Sequence, residues 1–134
     1  MKKIHCAGYA RPCACVKTRM DSAQIKGARP MSFTLATWNI NSVRLREPLV
    51  VQFLQQEAPD ILCLQECKSP VELIPTEQFA ALGYPYLVAR GQKGYNGVAI
   101  LSKLPIEDAG AHDFAGLGHA RHVGRASGKW CHSA

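Results

Sequence analysis

Two short apolar runs on either side of a helix-patterned stretch constrain this chain more than any other feature. Phe33-Thr34-Leu35-Ala36-Thr37-Trp38 is dense in strand formers, and Asp60-Ile61-Leu62-Cys63-Leu64-Gln65 is a second run of the same kind. Between them Leu45, Leu49, Val50, Phe53 and Leu54 recur at spacings of three and four, which places them on one face of a helix. Pro48 suits a first helical turn, where its missing N–H would be unpaired anyway. The spacing therefore predicts a regular helix from near Glu47, ended by Pro59-Asp60. Two buried strands joined by a helical crossover run parallel, so both of their C-terminal ends emerge at the same edge of the sheet. Further along, a short helix is predicted over 76–82, capped by Thr76 and stopped by Gly83. Two more strands are predicted over 84–89 and 97–102, joined by a turn-forming loop over 90–96. The expected class is α/β, or α+β by some schemes.

The shared edge is where α/β proteins usually place their sites. Asn39 ends the first strand and Glu66 follows the second. A carboxylate and an amide there can offer hard oxygen ligands to Mg²⁺. The same two residues serve equally well as a helix cap and a solvated acid, and the pattern alone leaves both readings open.

The 134 residues make one ordinary domain, and 47% hydrophobic with 19% charged residues excludes a disordered tail. No apolar run reaches the roughly 18–20 residues of a membrane span, and no apolar core follows Lys2-Lys3 as a secretory signal would need. A cytoplasmic, membrane-free protein is expected. The net charge of +6 suggests nucleic acid, but its distribution weakens that inference. Residues 1–30 hold seven basic side chains and one acid, while the rest of the chain carries nine of each. The excess describes the leading segment and not a basic domain face. Residues 1–30 show neither helical nor strand periodicity and read as a disordered leader or a misassigned start before Met31. Residues 124–134, Gly-Arg-Ala-Ser-Gly-Lys-Trp-Cys-His-Ser-Ala, lose all periodicity after a possible strand opening at Arg121-His122-Val123. They read as out-of-frame translation.

The six cysteines do not form zinc knuckles: Cys13 and Cys15 are too close, and Cys63 with Cys67 has no second pair. Cys63 is expected to be buried and reduced. His112, His119 and His122 lie among glycines and read as exposed loop histidines.

Three segments in order carry a resemblance. They are Thr37-Trp38-Asn39-Ile40-Asn41; Pro59-Asp60 through Gln65-Glu66-Cys67-Lys68; and Gly91-Gln92-Lys93-Gly94-Tyr95-Asn96-Gly97-Val98-Ala99-Ile100-Leu101-Ser102. Together they resemble the amino-terminal half of the exodeoxyribonuclease III family of DNA-repair nucleases, within the endonuclease/exonuclease/phosphatase superfamily. The resemblance spans about residues 33–123, and residues 31–123 are taken as half of a nuclease domain. It implies a four-layer α/β sandwich of which this chain is the incomplete amino-terminal half. It implies Mg²⁺ (or Mn²⁺) as cofactor and duplex DNA with abasic sites or 3′ ends as partner. The expected reactions are incision at abasic sites and 3′→5′ nucleotide removal. By motif, Glu66 resembles the metal-binding glutamate and Asn39 the asparagine beside that metal. Asn41 and Lys68 resemble residues that support the same pocket. Arg44 and the Lys93-Gly94-Tyr95-Asn96 loop resemble contacts to the DNA backbone, which fix register without reading bases.

The family's second half carries Asn-x-Tyr, Gly-Asp-x-Asn and Ser-Asp-His segments, and none occurs in this sequence. Loss of a general base and its partners removes several powers of ten in rate, so the chain alone is expected to be inactive. Half a sandwich is also expected to leave Leu35, Ile61, Val98 and Ile100 uncovered. Three rival functions follow: a non-catalytic DNA- or protein-binding fragment, a phosphatase of the same superfamily, and a small zinc protein.

Overall fold

The computed structural model describes residues 2–4, 15–21, 32–108, 110 and 125–126. His112, His119, His122, Cys6, Cys13, Cys131, the possible strand at 121–123 and most of 1–30 and 124–134 lie outside these residues.

Strand β3 (Ser32–Asn39) pairs in parallel with β4 (Ile61–Gln65), with Leu35 opposite Ile61 and Asn39 opposite Gln65. Helix α1 (Glu47–Glu57) is the crossover between them, with Pro48 in its first turn as expected. Its C-cap, Ala58, is left-handed at φ +40° and returns its N–H to Leu54. Helix α2 (Thr76–Ala81) follows a 3₁₀ turn at Val71–Leu73. Its N-cap is Pro75 and no side chain caps it, so the capping role expected of Thr76 is corrected: the helix begins one residue earlier than that role requires. Gly83, at φ +92°, ends the segment as expected. Strands β5 (Tyr86–Arg90) and β6 (Val98–Ser102) form an antiparallel hairpin, and β6 pairs antiparallel with β4.

Two further strands, β1 (Lys2–Ile4) and β2 (Cys15–Asp21), extend the sheet to the order β1-β2-β3-β4-β6-β5. Both fall in the stretch expected to lack regular structure. The reason is tertiary: β4 occupies one edge of β3 and leaves the other edge with unpaired N–H and C=O groups, along which β2 aligns over its whole length. β7 (Glu107–Asp108) and β8 (Arg125–Ala126) make a small separate pair, the second of them inside the segment expected to have no period.

Period-two alternation divides the side chains between two faces of the sheet. Ala36, Trp38, Leu62, Leu64, Ala99 and Leu101 face α1 and α2 and pack with Val50, Phe53, Leu54 and Phe79. Trp38 lies 5.4 Å from Phe53, ring centre to ring centre. The opposite face gathers Ile61, Val88, Ile100 and Ile106, with Phe33, Leu35 and Cys63 half-buried beside them. Ile61 and Ile100 are therefore buried, not uncovered as expected, because Ile106 packs against them after the Ser102–Pro105 turn. Leu35 and Val98 are half-buried. The cysteine expectation also shifts. Cys63 faces this second cluster and is half-buried, whereas Cys67 is fully buried.

Candidate functional site

Three chain segments converge beyond the ends of β3, β4 and β6, and main-chain hydrogen bonds continue the sheet through them. The Ile40 N–H donates to Gln65, Ser42 to Glu66 (2.8 Å) and Val43 to Cys67 (3.0 Å). On the other side the Cys67 N–H donates to Gly97 (2.9 Å) and Lys68 to Asn96 (2.8 Å). Residues 66–68 are thus held between two turns.

Backbone handedness then aims the side chains. Glu66 (φ +52°) and Lys68 (φ +49°) are both left-handed, a conformation uncommon for residues with long side chains. Cys67 between them is fully buried, with its thiol 3.9 Å from the Leu64 carbonyl. Burial pushes that thiol up to about 12, so it is unreactive at neutral pH. Asn41 (φ +48°) and Ser42 (φ +86°) across the ladder, and Asn96 (φ +54°) on the third segment, share the same handedness. Left-handed non-glycine residues clustered at one strand edge mark strain that the surrounding structure imposes.

The side chains form a chain of contacts. Asn39 Nδ2 donates to Glu66 Oε1 at 2.8 Å. Lys68 Nζ lies 3.5 Å from Glu66 Oε2 and donates to Asn41 Oδ1 at 2.6 Å. These contacts remove the helix-cap reading of Asn39. Arg46, not Asn39, is the N-cap residue of α1, and Asn39 spends its amide N–H on the carboxylate. The Asn39 hydrogen bond holds the Glu66 carboxyl below its ordinary value, opposed by partial desolvation and aided by the Lys68 ammonium. Glu66 is therefore ionised at neutral pH and half-exposed.

Arg44 is exposed on the loop after β3. Lys93, Gly94 and Tyr95 are exposed on the loop between β5 and β6, and Asn96 is half-buried at its base. Gln92 organises that loop: its Nε2 donates to Tyr95 Oη at 2.8 Å, and Asn96 Nδ2 donates to its Oε1 at 3.3 Å. The loop is seated by Gly91. A Cβ there would meet the Ser69 carbonyl oxygen at 2.5 Å and the Val71 nitrogen at 2.6 Å. At Gly97, φ is +88° and a Cβ would touch Cys67 Cβ and Lys68 N at 3.3 Å. Sequence reasoning missed Arg46, Gln92, Gly91 and Gly97 as parts of this site. Gly91, Gln92 and Gly97 lie in the third segment that carries the resemblance, which was their signal; Arg46 had none.

As a donor set, Glu66 and Asn39 present one carboxylate and one amide, whereas Mg²⁺ takes six oxygens. The pair fits part of such a coordination shell. Among the described residues no three His, Cys, Asp or Glu side chains gather around a point.

The sheet and its helices define a mixed α/β fold with the polar cluster at one strand edge. The profile of the endonuclease/exonuclease/phosphatase family matches residues 36–129, and the chain belongs to that family. It is 39% identical over 67 residues to exodeoxyribonuclease III of Haemophilus influenzae, covering 50% of this chain and 25% of that one. It is 32% identical over 82 residues to the DNA repair nuclease APEX1 of Danio rerio, covering 58% of this chain and 26% of that one. Among solved structures, an AP endonuclease from Archaeoglobus fulgidus superposes with TM-score 0.55 at 40% identity, over 60% of this chain and 32% of that one. The 3′-5′ exonuclease NExo of Neisseria meningitidis gives TM-score 0.58 at 37% identity, over 65% and 34%. A Neisseria NExo structure described as a 3′ phosphatase bound to a product DNA hairpin gives TM-score 0.53 at 39% identity, over 60% and 30%. The matched stretch is a quarter to a third of the length of these relatives. No helix among the described residues is long and apolar enough to cross a membrane.

Proposed function

We propose that residues 31–123 supply the metal-binding half of a DNA-repair nuclease site, one that hydrolyses phosphodiester bonds at abasic sites and at 3′ ends of duplex DNA in the cytoplasm. One observation carries the reading. Glu66 is held ionised at the strand edge between the Asn39 amide and the Lys68 ammonium, on a backbone wound so that both charges flank a buried Cys67. Glu66 and Asn39 are the residues that would hold Mg²⁺ or Mn²⁺. Such an ion, when bound, polarises a phosphoryl oxygen and neutralises the charge that develops on it.

The remaining work belongs to the chain's own side chains. Lys68 balances the Glu66 charge and is itself held by Asn41. Arg44 and the 93–96 loop stand where two exposed loops flank the site, suited to phosphate contacts that position a duplex without reading its sequence. The neutral charge of residues 31–134 makes that hold weak unless further segments add cations.

The sequence contains neither Gly-Asp-x-Asn nor Ser-Asp-His, the segments that carry the water-activating machinery in the family the chain resembles. The 134-residue chain is expected to bind Mn²⁺ and to lack turnover. A second reading, removal of a 3′ phosphate from DNA, is supported by the likeness to the Neisseria structure described as a 3′ phosphatase.

The test is a Mn²⁺ titration of the chain and of Glu66→Gln, followed by incubation with three duplexes carrying an abasic site, a 3′ hydroxyl or a 3′ phosphate. Stoichiometric Mn²⁺ binding that Glu66→Gln abolishes, with no product from any duplex, supports the proposal. Equal binding by Glu66→Gln overturns the site. Multiple turnovers on the 3′-phosphate duplex alone would instead establish the phosphatase reading.

A further inference from the structure

We propose that Arg46 is a positioning residue of the strand-edge site, acting on Glu66 through Asn41 and Lys68. The inference deepens the metal-site reading and rests on it.

Arg46 occupies the N-cap position of α1, at φ −116° and ψ 15°, and makes no side-chain cap bond. Helix starts favour Ser, Thr, Asp or Asn there, because a side-chain oxygen can accept from the unpaired N–H groups. A guanidinium accepts nothing, and a cation at the positive end of a helix is electrostatically unfavourable. Arg46 is therefore a poor choice for the helix and needs another reason to be there.

Its contacts supply that reason. The Arg46 carbonyl accepts from the Leu49 and Val50 N–H groups, both at 3.0 Å, which fixes its backbone to the helix. Its Nη1 donates back to the Asn41 main-chain oxygen. Asn41 and Ser42 are two successive left-handed residues; the Ser42 and Val43 N–H groups pin the far side of this turn to Glu66 and Cys67, and Arg46 holds the Asn41 carbonyl on its near side. Arg46 is a strut from the rigid helix to that turn.

The turn sets where Lys68 stands. Asn41 Oδ1 accepts from Lys68 Nζ at 2.6 Å, which holds the ammonium at 3.5 Å from Glu66 Oε2. Once Asn41 moves, the ammonium is free to close directly on Glu66 and compete with a cation for the same carboxylate. Arg46 thus keeps Glu66 available to a metal without touching it. Outer partners of metal ligands commonly change affinity by 10–100-fold.

The experiment measures Mn²⁺ affinity of the full 134-residue chain by electron paramagnetic resonance, with Trp fluorescence and circular dichroism as checks on folding. Arg46→Met is expected to weaken Mn²⁺ binding about tenfold. Arg46→Lys, which keeps a donor, is expected to recover most of the loss. In a Lys68→Met background, Arg46→Met is expected to have no further effect, because the competing ammonium is gone. Asn41→Ala leaves the Arg46 strut in place and is expected to weaken binding as much as Arg46→Met. It decides the question should Arg46→Met fail to fold. Unchanged Mn²⁺ affinity in Asn41→Ala, or an Arg46→Met loss that persists undiminished without Lys68, overturns the proposal. Glu66→Gln separates the two levels: if it leaves Mn²⁺ binding intact, the metal site itself is wrong. If it abolishes binding while Arg46→Met does not weaken it, only the role of Arg46 falls.

Discussion

Replacing Gly91 with alanine puts a methyl group where main chain already stands. The new Cβ would lie 2.5 Å from the Ser69 oxygen, 2.6 Å from the Val71 nitrogen and 2.9 Å from the Pro70 carbonyl carbon. None of these is the end of a flexible side chain, so the 69–71 turn or the 91–96 loop must shift. Overpacking of this kind costs roughly 1–3 kcal/mol, and obstruction by main chain on three sides points to the upper end. Lost freedom of the unfolded chain returns about 0.4–1 kcal/mol. The expected net cost is about 2 kcal/mol. Gly94→Ala is the control: its φ is +83° but nothing lies within 4 Å of the added Cβ. Its cost is backbone strain alone, roughly 1–2 kcal/mol before the same entropic return. Urea unfolding of both variants, followed by circular dichroism and Trp fluorescence, gives the two free energies. Gly91→Ala within about 0.5 kcal/mol of the parent, or Gly94→Ala the costlier of the two, would refute the steric reasoning.

The remaining predictions concern the core and its ionisable groups. Tyr84 is fully buried, donates to the Pro59 carbonyl at 2.7 Å, and titrates at about 12 instead of 10.0 because of burial first and the Asp60 charge second. Its folded value lies above its unfolded one, so its contribution is complete below about pH 10 and is lost as pH rises through about 12. Melting curves from pH 8 to 12 should show Tyr84→Phe to be less stable at pH 8 by about 1 kcal/mol, with the gap to the parent closing above pH 10. An unchanging gap would sink that account. Native alkylation followed by peptide mass spectrometry should modify Cys63, which is half-buried, well before Cys67, which is fully buried and barely ionised; equal labelling would contradict the burial. Asp60 Oδ2 accepts from both the N–H (2.7 Å) and the hydroxyl (2.8 Å) of Thr34, so Asp60→Ala should cost roughly 1–3 kcal/mol in thermal unfolding; a smaller loss than Thr34→Ser shows would argue against that role.

The strand–helix–strand core was legible because each element is encoded locally. A run of strand formers over 33–38, a period near 3.6 over 45–54 and a second apolar run at 60–65 sufficed to predict β3, α1 and β4. Parallel pairing then followed from the crossover, and with it the meeting of Asn39 and Glu66 at one edge. Pairing of β2 with β3 was not legible: Val16, Thr18 and Met20 do alternate with Lys17, Arg19 and Asp21, but that short pattern lies in a mixed Gly, Lys and Arg stretch and names no partner, which the open edge of β3 supplies. Burial of Ile61 and Ile100 was also hidden, since Ile106 reaches them only after a turn.

The sequence by itself determined which chemical groups stand at the strand edge: one carboxylate, two asparagine amides, one ammonium, and loops with Arg44 and Lys93. Tertiary structure alone decided how they are joined. Asn39 and Glu66 are 27 residues apart, as are Asn41 and Lys68, and each contact depends on strand register and on the left-handed winding of Asn41, Glu66 and Lys68. Arg46 reads locally as the start of a helix, and only the folded turn gives its guanidinium a carbonyl to hold. Periodicity reports which face of an element is buried; it carries no information about backbone strain that distant segments impose on one another.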